Sequence, residues 1–374
     1  MNPVRDLIMK EKKIDKFFLT ILLILVFIGV AMFISASLPI WVKNQKLFYS
    51  VLFSQLVLGL GIGLVGMYFC SKINYKFWRK FSLPIFLVSI LLTASVFIPH
   101  LGTNLGTFAK RWISIFGFSF QPVELLKFGF IIYFAALLSS FKNRIRDFRF
   151  GILPFSIMLL IISVILLKQP DTKSFILIVV TGISMLFISG VPMKYILGIG
   201  GAVILVLGTL VFFTPYLQER VKTFIDPASD PQGSSYQIQQ SLIALGSGGI
   251  LGRGFGQSIQ KFSYLPEPQG DSIFAVLGEE FGFVGTLATL FLYLLFALRG
   301  FRIANNAGDL FGRLLVSGIV IMIVVQSFMH IASITGVFPL TGVPLPFMSQ
   351  GGTALMVYLA AMGIVLNVSK FQRT

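Results

Sequence analysis

Cysteine and histidine are almost missing from this chain: one Cys and two His in 374 residues. A lone Cys70 excludes an intramolecular disulfide scaffold. His100 and His330 lack the spacing of a metal motif, and no Ser-His-Asp or Cys-His arrangement is visible. Charge is scarce too. Charged residues make up 12% of the chain, about half the usual ~25% of a soluble domain, which excludes an ordinary cytosolic enzyme. Acids are the scarcer sign, 14 against 30 Lys and Arg, for a net charge of +16. In a soluble protein such a charge points to nucleic acid. Here 56% hydrophobic residues, 40 Phe and a mean hydropathy of +0.89 make it the charge asymmetry of a membrane protein, with no nucleic-acid partner expected. No fixed-period repeat, low-complexity tract or pair of inverted halves is present.

What is abundant is apolar run. A spanning helix takes roughly 20 mostly apolar residues. On that rule the fold class is an all-α polytopic membrane protein with ten spans, at about 17–36, 48–70, 82–99, 122–140, 151–167, 174–191, 194–214, 276–298, 314–336 and 352–368. The first follows a charged stretch, Arg5 to Lys16, and lacks a small-residue cleavage site, so it reads as a retained anchor. With the N-terminus inside, 19 Lys and Arg fall in inner segments and ten in outer ones, four of the ten in one long loop, with Lys127 inside a span. The positive-inside rule then makes both termini cytoplasmic. The whole chain, 1–374, reads as one transmembrane domain, with a cytoplasmic segment 1–16, a large extracytoplasmic loop 215–275 between helices 7 and 8, and a cytoplasmic tail 369–374. That long loop contains a helical patch, Tyr236 to Leu245, and is expected to fold against the membrane surface.

Charges in or beside apolar spans are costly and mark function by default. The first cluster is Lys110-Arg111-Trp112, then Ser119 to Lys127. Pro122 suits a first helical turn, and Glu124 and Lys127, three apart, share a face. They make either a capped helix start with an internal ion pair, or a polar lining where Arg111 and Lys127 attract phosphate. Gln169-Pro170-Asp171-Thr172-Lys173-Ser174 reads as a tight turn with Asp at a helix start. Closing the long loop, Glu267, Asp271, Glu279 and Glu280 place four carboxylates in fourteen residues at the rim of a span. A carboxylate at a partly apolar interface makes a usable general base, and Asp271, just before the apolar run, is best placed. Finally Pro339, Pro344 and Pro346, three prolines in eight residues, exclude a helix and predict a rigid re-entrant turn before Ser349-Gln350-Gly351-Gly352. Gly246 to Gly256 is Gly-rich without nucleotide-site spacing, and Gly59 and Gly63 form a helix-packing step.

Together these clusters resemble the SEDS family (shape, elongation, division and sporulation), membrane glycosyltransferases that polymerise lipid II into peptidoglycan. The match runs from first span to last. It rests on Lys110-Arg111-Trp112-Ile113, Phe118-Ser119-Phe120-Gln121-Pro122-x-Glu124-x-x-Lys127, Gln169-Pro170-Asp171, Leu265-Pro266-Glu267 with Asp271, Gly278-Glu279-Glu280-x-Gly282 and Gly342-Val343-Pro344-Leu345-Pro346-Phe347. Gly254 to Lys261 with Tyr264-Leu265-Pro266-Glu267 looks more like the division branch than the elongation branch. There are departures: Thr172 and Lys173 stand where the family usually has an apolar residue and Gly, Val123 replaces a frequent Ser, Gln350 a Tyr, His330 an Asn and Ser272 a Phe.

The resemblance implies that Asp271 deprotonates the 4-hydroxyl of an acceptor lipid II, which attacks the anomeric carbon of a chain held on undecaprenyl pyrophosphate. Inversion gives a β-1,4 link and releases undecaprenyl diphosphate. Substrate binding is expected at Arg111, Glu124, Lys127, Arg220, Glu267 and Ser349, with Arg111, Lys127 and Arg220 facing the pyrophosphate. No tightly bound cofactor is expected, although a divalent cation, Mg or Mn, could share the charge. Implied partners are a class B penicillin-binding protein transpeptidase, other divisome proteins and membrane lipid, at the septum of the bacterial inner membrane. The rival readings are a lipid II flippase, the same polymerase in elongation, and a noncatalytic division scaffold. Against the flippase, the acids lie at the end of a span, whereas transporter sites lie near the midplane.

Overall fold

The computed structural model describes residues 13–99, 101–103, 110–115, 118–227 and 235–372. The expectations for residues 1–12, His100, residues 228–234 and residues 373–374 lie outside these. Among the described residues nine helices are long and apolar enough to cross a membrane, and the tenth predicted segment is a shorter apolar helix. In chain order they are α1 (Lys16–Lys43), α2 (Gln45–Lys72), the shorter α3 (Ser82–Phe97), α4 (Pro122–Ser140), α5 (Phe148–Lys168), α6 (Thr172–Ser189) and α7 (Met193–Phe213). Two amphipathic helices, α8 (Pro215–Ile225) and α9 (Tyr236–Ser247), occupy the long segment. Then come α10 (Ile273–Asn305), α11 (Leu310–Ile334) and α12 (Gly352–Val368).

The helices start where the sequence supplies an acceptor for free N–H groups. Asp15 accepts from Phe18 at 2.9 Å, Asp309 from Gly312 at 2.7 Å and Asp171 from Ser174 at 3.3 Å. Pro122 opens α4, where no donor is lost. Gly190, left-handed at φ 90°, ends α6. Helices α11 and α12 are buried among the others, whereas α7 is exposed over almost its whole length. Close packing of α2 on α12 depends on the predicted glycine step: a Cβ at Gly59 would stand 2.9 Å from Gly352 Cα, and one at Gly63 2.7 Å from Leu359 Cδ1.

Two ends of the bundle can be told apart by their bonds. At one, the Asp15 N–H donates to Ser369 Oγ at 3.0 Å and Arg299 pairs with Asp15 at 2.9 Å, so the start of α1 and the end of α12 lie together. The opposite end carries a feature the sequence reading did not include, a three-stranded antiparallel sheet of β1 (Gly102–Thr103), β2 (Trp112–Ile115) and β3 (Phe118–Phe120), in register Ile113 to Phe120. Strands this short carry no readable alternation. The helical patch is present as α9, which buries Ile238, Ser241 and Ala244, with Leu245 against Gly278 of α10 and Leu242 near Gly336 past α11.

Helix α10 breaks at Gly282, whose φ 65° and ψ −161° are open essentially to glycine alone. The Gly-rich stretch is the strap over this break. Arg253 and Gly254 donate to the carbonyls of Glu279 and Glu280 at 3.0 and 2.9 Å. In return, Phe283 and Val284 donate to the carbonyls of Gly249 and Ile250 at 2.9 and 3.1 Å. Backbone groups freed by the kink are thereby paired. The short half-helix before Gly282 leads back to the loop that carries Asp271.

Candidate active site

The Asp271 loop is fixed from both sides. Within it, Gly270 and Ser272 donate their N–H groups to the Glu267 carbonyl at 3.0 and 3.3 Å, and the Ser272 hydroxyl donates to Pro266 at 2.8 Å. Across it lies the proline-rich turn 339–346, which is non-helical and buried at Val343 and Leu345. Ser349 joins the two: its hydroxyl donates to the Gly270 carbonyl and accepts from Leu345 N–H, both at 2.8 Å. Gln350 N–H adds a bond to the Gln269 carbonyl at 2.7 Å. Gln55, in a π-helical stretch of α2 (Phe53–Gly61), holds the far side of Ser349 and the N–H of Gly351.

Gly342 sits at the centre of what remains. Its φ of +62° suits glycine, and the point where a Cβ would stand is 2.9 Å from Asp271 Oδ2, 3.7 Å from Lys173 Nζ and 3.8 Å from Arg220 Nη2. A carboxylate and two cations from three separate elements thus face one small gap. Lys173, in the first turn of α6, donates to the Gly342 carbonyl. Arg220, on α8, donates to the Leu340 carbonyl and stacks its guanidinium 4.5 Å over Tyr216. Arg111, just before the central strand β2, donates to the carbonyls of Gln169 (3.1 Å) and Pro170. Burial lowers the pKa of Arg220, with Tyr216 and Asp271 opposing and Arg111 reinforcing, and the guanidinium stays charged. The Glu267 carboxyl is raised, by burial first and the Asp271 charge second, against a lowering pull from Lys173. His330 fixes one ring nitrogen on the Val343 carbonyl at 2.7 Å, while Nε2 is buried without a hydrogen-bond partner among the described residues.

A family profile described as Cell cycle protein, FtsW/RodA/SpoVE, matches residues 15–374. The chain belongs to the FtsW/RodA/SpoVE family. Stage V sporulation protein E of Bacillus subtilis is 38% identical over 365 residues, 97% of this chain and 99% of that protein. The protein named Probable peptidoglycan glycosyltransferase FtsW of Trichlorobacter lovleyi is 37% identical over 367 residues, 97% and 96% of the two chains. Among solved structures, one described as the structural coordination of polymerization and crosslinking by a peptidoglycan synthase complex superposes with a TM-score of 0.77 at 27% identity, covering 95% of this chain and 97% of that one. A crystal structure of the rod shape determining protein RodA of Thermus thermophilus gives a TM-score of 0.71 at 25% identity, covering 96% and 98%.

Within this FtsW/RodA/SpoVE chain the named residues fall into two groups. Asp271, Glu267, Arg220 and Arg111 converge on the gap at Gly342 or its rim. Glu124 and Lys127 lie deeper, almost fully buried and paired at 2.7 Å, in the arrangement of an internal ion pair at a helix start. Lys127 Nζ also donates to Gln326 Oε1 at 3.1 Å and Tyr358 OH at 3.3 Å, and Gln326 donates to the Pro344 carbonyl at 2.9 Å. This network braces the proline-rich turn from behind. Ser349 is a brace of the same kind.

Both remaining acids of the acidic stretch are structural. Glu279 accepts from Ser258 Oγ at 2.5 Å and Ile259 N–H at 3.0 Å, and Glu280 is buried against Lys261 at 2.6 Å and Ser35 at 2.6 Å. Sequence reasoning missed Lys173 at the site and the bracing pair Gln326 and Tyr358. The one signal for Lys173 was its departure from the family's usual Gly. Among the described residues no group of three or more His, Cys, Asp or Glu is placed to hold a metal ion.

Proposed function

We propose that this chain is a peptidoglycan glycosyltransferase that polymerises lipid II, with Asp271 as its general base. The observation that carries the reading is the gap at Gly342, where the Asp271 carboxylate faces the charged ends of Lys173 and Arg220. Inverting transfer needs a base beside the attacking hydroxyl and fixed positive charge beside the leaving group. Asp271 takes the proton of the acceptor's sugar 4-hydroxyl as that oxygen attacks the anomeric carbon of the donor chain. The new C–O bond forms as the bond to the lipid pyrophosphate breaks, and the electron pair leaves on the pyrophosphate. Arg220 and Arg111 meet that developing charge. Their anchoring on the carbonyls of Leu340, Gln169 and Pro170 sets their positions before the substrate arrives. Glu124, Lys127 and Ser349 serve the reaction by holding the proline-rich turn in register with the Asp271 loop.

The start of α1 and the end of α12 share one end of the bundle and the site lies at the other. With both termini cytoplasmic, as the Lys and Arg distribution indicates, the site faces the outer side of the inner membrane, where lipid II displays its sugars. A class B penicillin-binding protein transpeptidase and divisome proteins are the partners this reading requires, at the division septum. The FtsW relatives and the solved peptidoglycan synthase complex support it. The purified chain, mixed with lipid II and its cognate transpeptidase, should give glycan polymer on a gel. Lipid II movement across vesicles with no polymer would replace this reading with a flippase.

A further inference from the structure

Lys173 faces the gap but has no step in the reaction as drawn so far. Its ammonium is bonded to the Gly342 carbonyl, and it lies 3.7 Å from the same point that is 2.9 Å from Asp271 Oδ2 and 3.8 Å from Arg220 Nη2. The charged groups around this gap are Asp271 and Glu267 from the loop before α10, Lys173 from α6, Arg220 from α8 and Arg111 from the residue before β2, with the titratable His330 behind the turn. Three fixed cations therefore oppose two carboxylates. A divalent ion held by one or two carboxylates and substrate phosphate would stand beside an ammonium and a guanidinium, and the residues present do not fit it.

We propose that Lys173 is this chain's built-in counter-cation, whose ammonium takes the charge role of a divalent metal ion at the site, so that glycan polymerisation proceeds without one. Gly342 is the structural partner of this arrangement. Its carbonyl fixes Nζ, which keeps two further N–H donors for the departing pyrophosphate.

This inference rests on the glycosyltransferase reading, and its test separates the two. Full-length protein with its transpeptidase is stripped with EDTA and given lipid II, as wild type, Lys173→Met and Lys173→Arg, with and without added Mn²⁺. Wild type and Lys173→Arg should lose less than about twofold in EDTA, whereas Lys173→Met should lose about a hundredfold and recover with Mn²⁺, the scale of removing one transition-state charge contact. Separately, Mn²⁺ is titrated into each protein without lipid II and read by electron paramagnetic resonance. Lys173→Met should acquire one bound ion that wild type and Lys173→Arg lack. A wild type that needs Mn²⁺, or that binds it as Lys173→Met does, overturns the proposal. If no sample makes polymer, the glycosyltransferase reading fails, and the Mn²⁺ titration alone then decides the role of Lys173. Unfolding of Lys173→Met is detected by its elution as aggregate, and Lys173→Gln then replaces it.

Discussion

Replacing Gly342 by alanine adds one methyl group at the most crowded point of the site. Two costs follow, and they separate. The first is conformational: a φ of +62° costs a residue with a Cβ about 1–2 kcal/mol. The second is local. The new Cβ would stand 2.9 Å from Asp271 Oδ2, so the carboxylate must retreat by about 0.5 Å to reach an ordinary contact. The protein can absorb that retreat cheaply because the obstacle is the end of a side chain, but the base then no longer meets its hydroxyl. A misplacement of about 1 Å costs on the order of a hundredfold in rate, so a loss of about ten- to a hundredfold in polymerisation is expected for half that shift. Stability should fall only by the dihedral cost. The assay pairs single-turnover polymerisation of lipid II with chemical denaturation in detergent. A Gly342→Ala protein that polymerises within about threefold of wild type would refute the placement of Asp271 against Gly342. Rate and stability falling together, by several kcal/mol, would show that the glycine is needed only for folding.

Three other outcomes follow from the geometry. Because burial and Asp271 raise the Glu267 carboxyl, its charged form is disfavoured in the fold, a cost that is absent below the ordinary glutamate range, grows as pH rises from there and is complete above the folded pKa. Glu267→Gln should therefore be more stable than wild type at about pH 8 and equal to it at about pH 4, as read by denaturation at the two values. Lys127→Met strands Glu124 in the bundle and should cost about 3–5 kcal/mol, while Glu124→Gln combined with Lys127→Met should recover most of it; a single variant as stable as wild type would contradict the buried pair. Gly282→Ala should cost about 1–3 kcal/mol from its dihedral angles alone, and limited proteolysis should then cut the 246–256 strap that no longer seats on the kink.

The spans and the placement of Asp271 could be read in advance because each depends on neighbours in the chain. Apolar runs of sufficient length, Pro122 at a helix start and an acid before an apolar run are local signals. The strap, the brace and the counter-cation are not. Lys173 meets Gly342 only because the start of α6 and the turn after α11 lie side by side, and nothing near either residue announces it. Likewise Lys127 needs Gln326 and Tyr358 from two distant helices, so spacing alone left both its ion pair and a phosphate-attracting role open. The sheet was missed because strands of two to four residues are too short to show alternation. Gly246 to Gly256 was seen as Gly-rich, but its purpose, to approach the backbone of a broken α10, exists only once Gly282 kinks.

All of the proposed chemistry depends on Asp271. The decisive measurement is lipid II polymerisation by Asp271→Asn beside wild type, with matched elution, matched denaturation curves and matched lipid II binding. The amide keeps the shape of the side chain and cannot accept the proton, so polymer should fall by about 10²–10⁴-fold while binding persists. Polymer made at the wild-type rate by the variant would contradict the account and move the base to another group, Glu267 first.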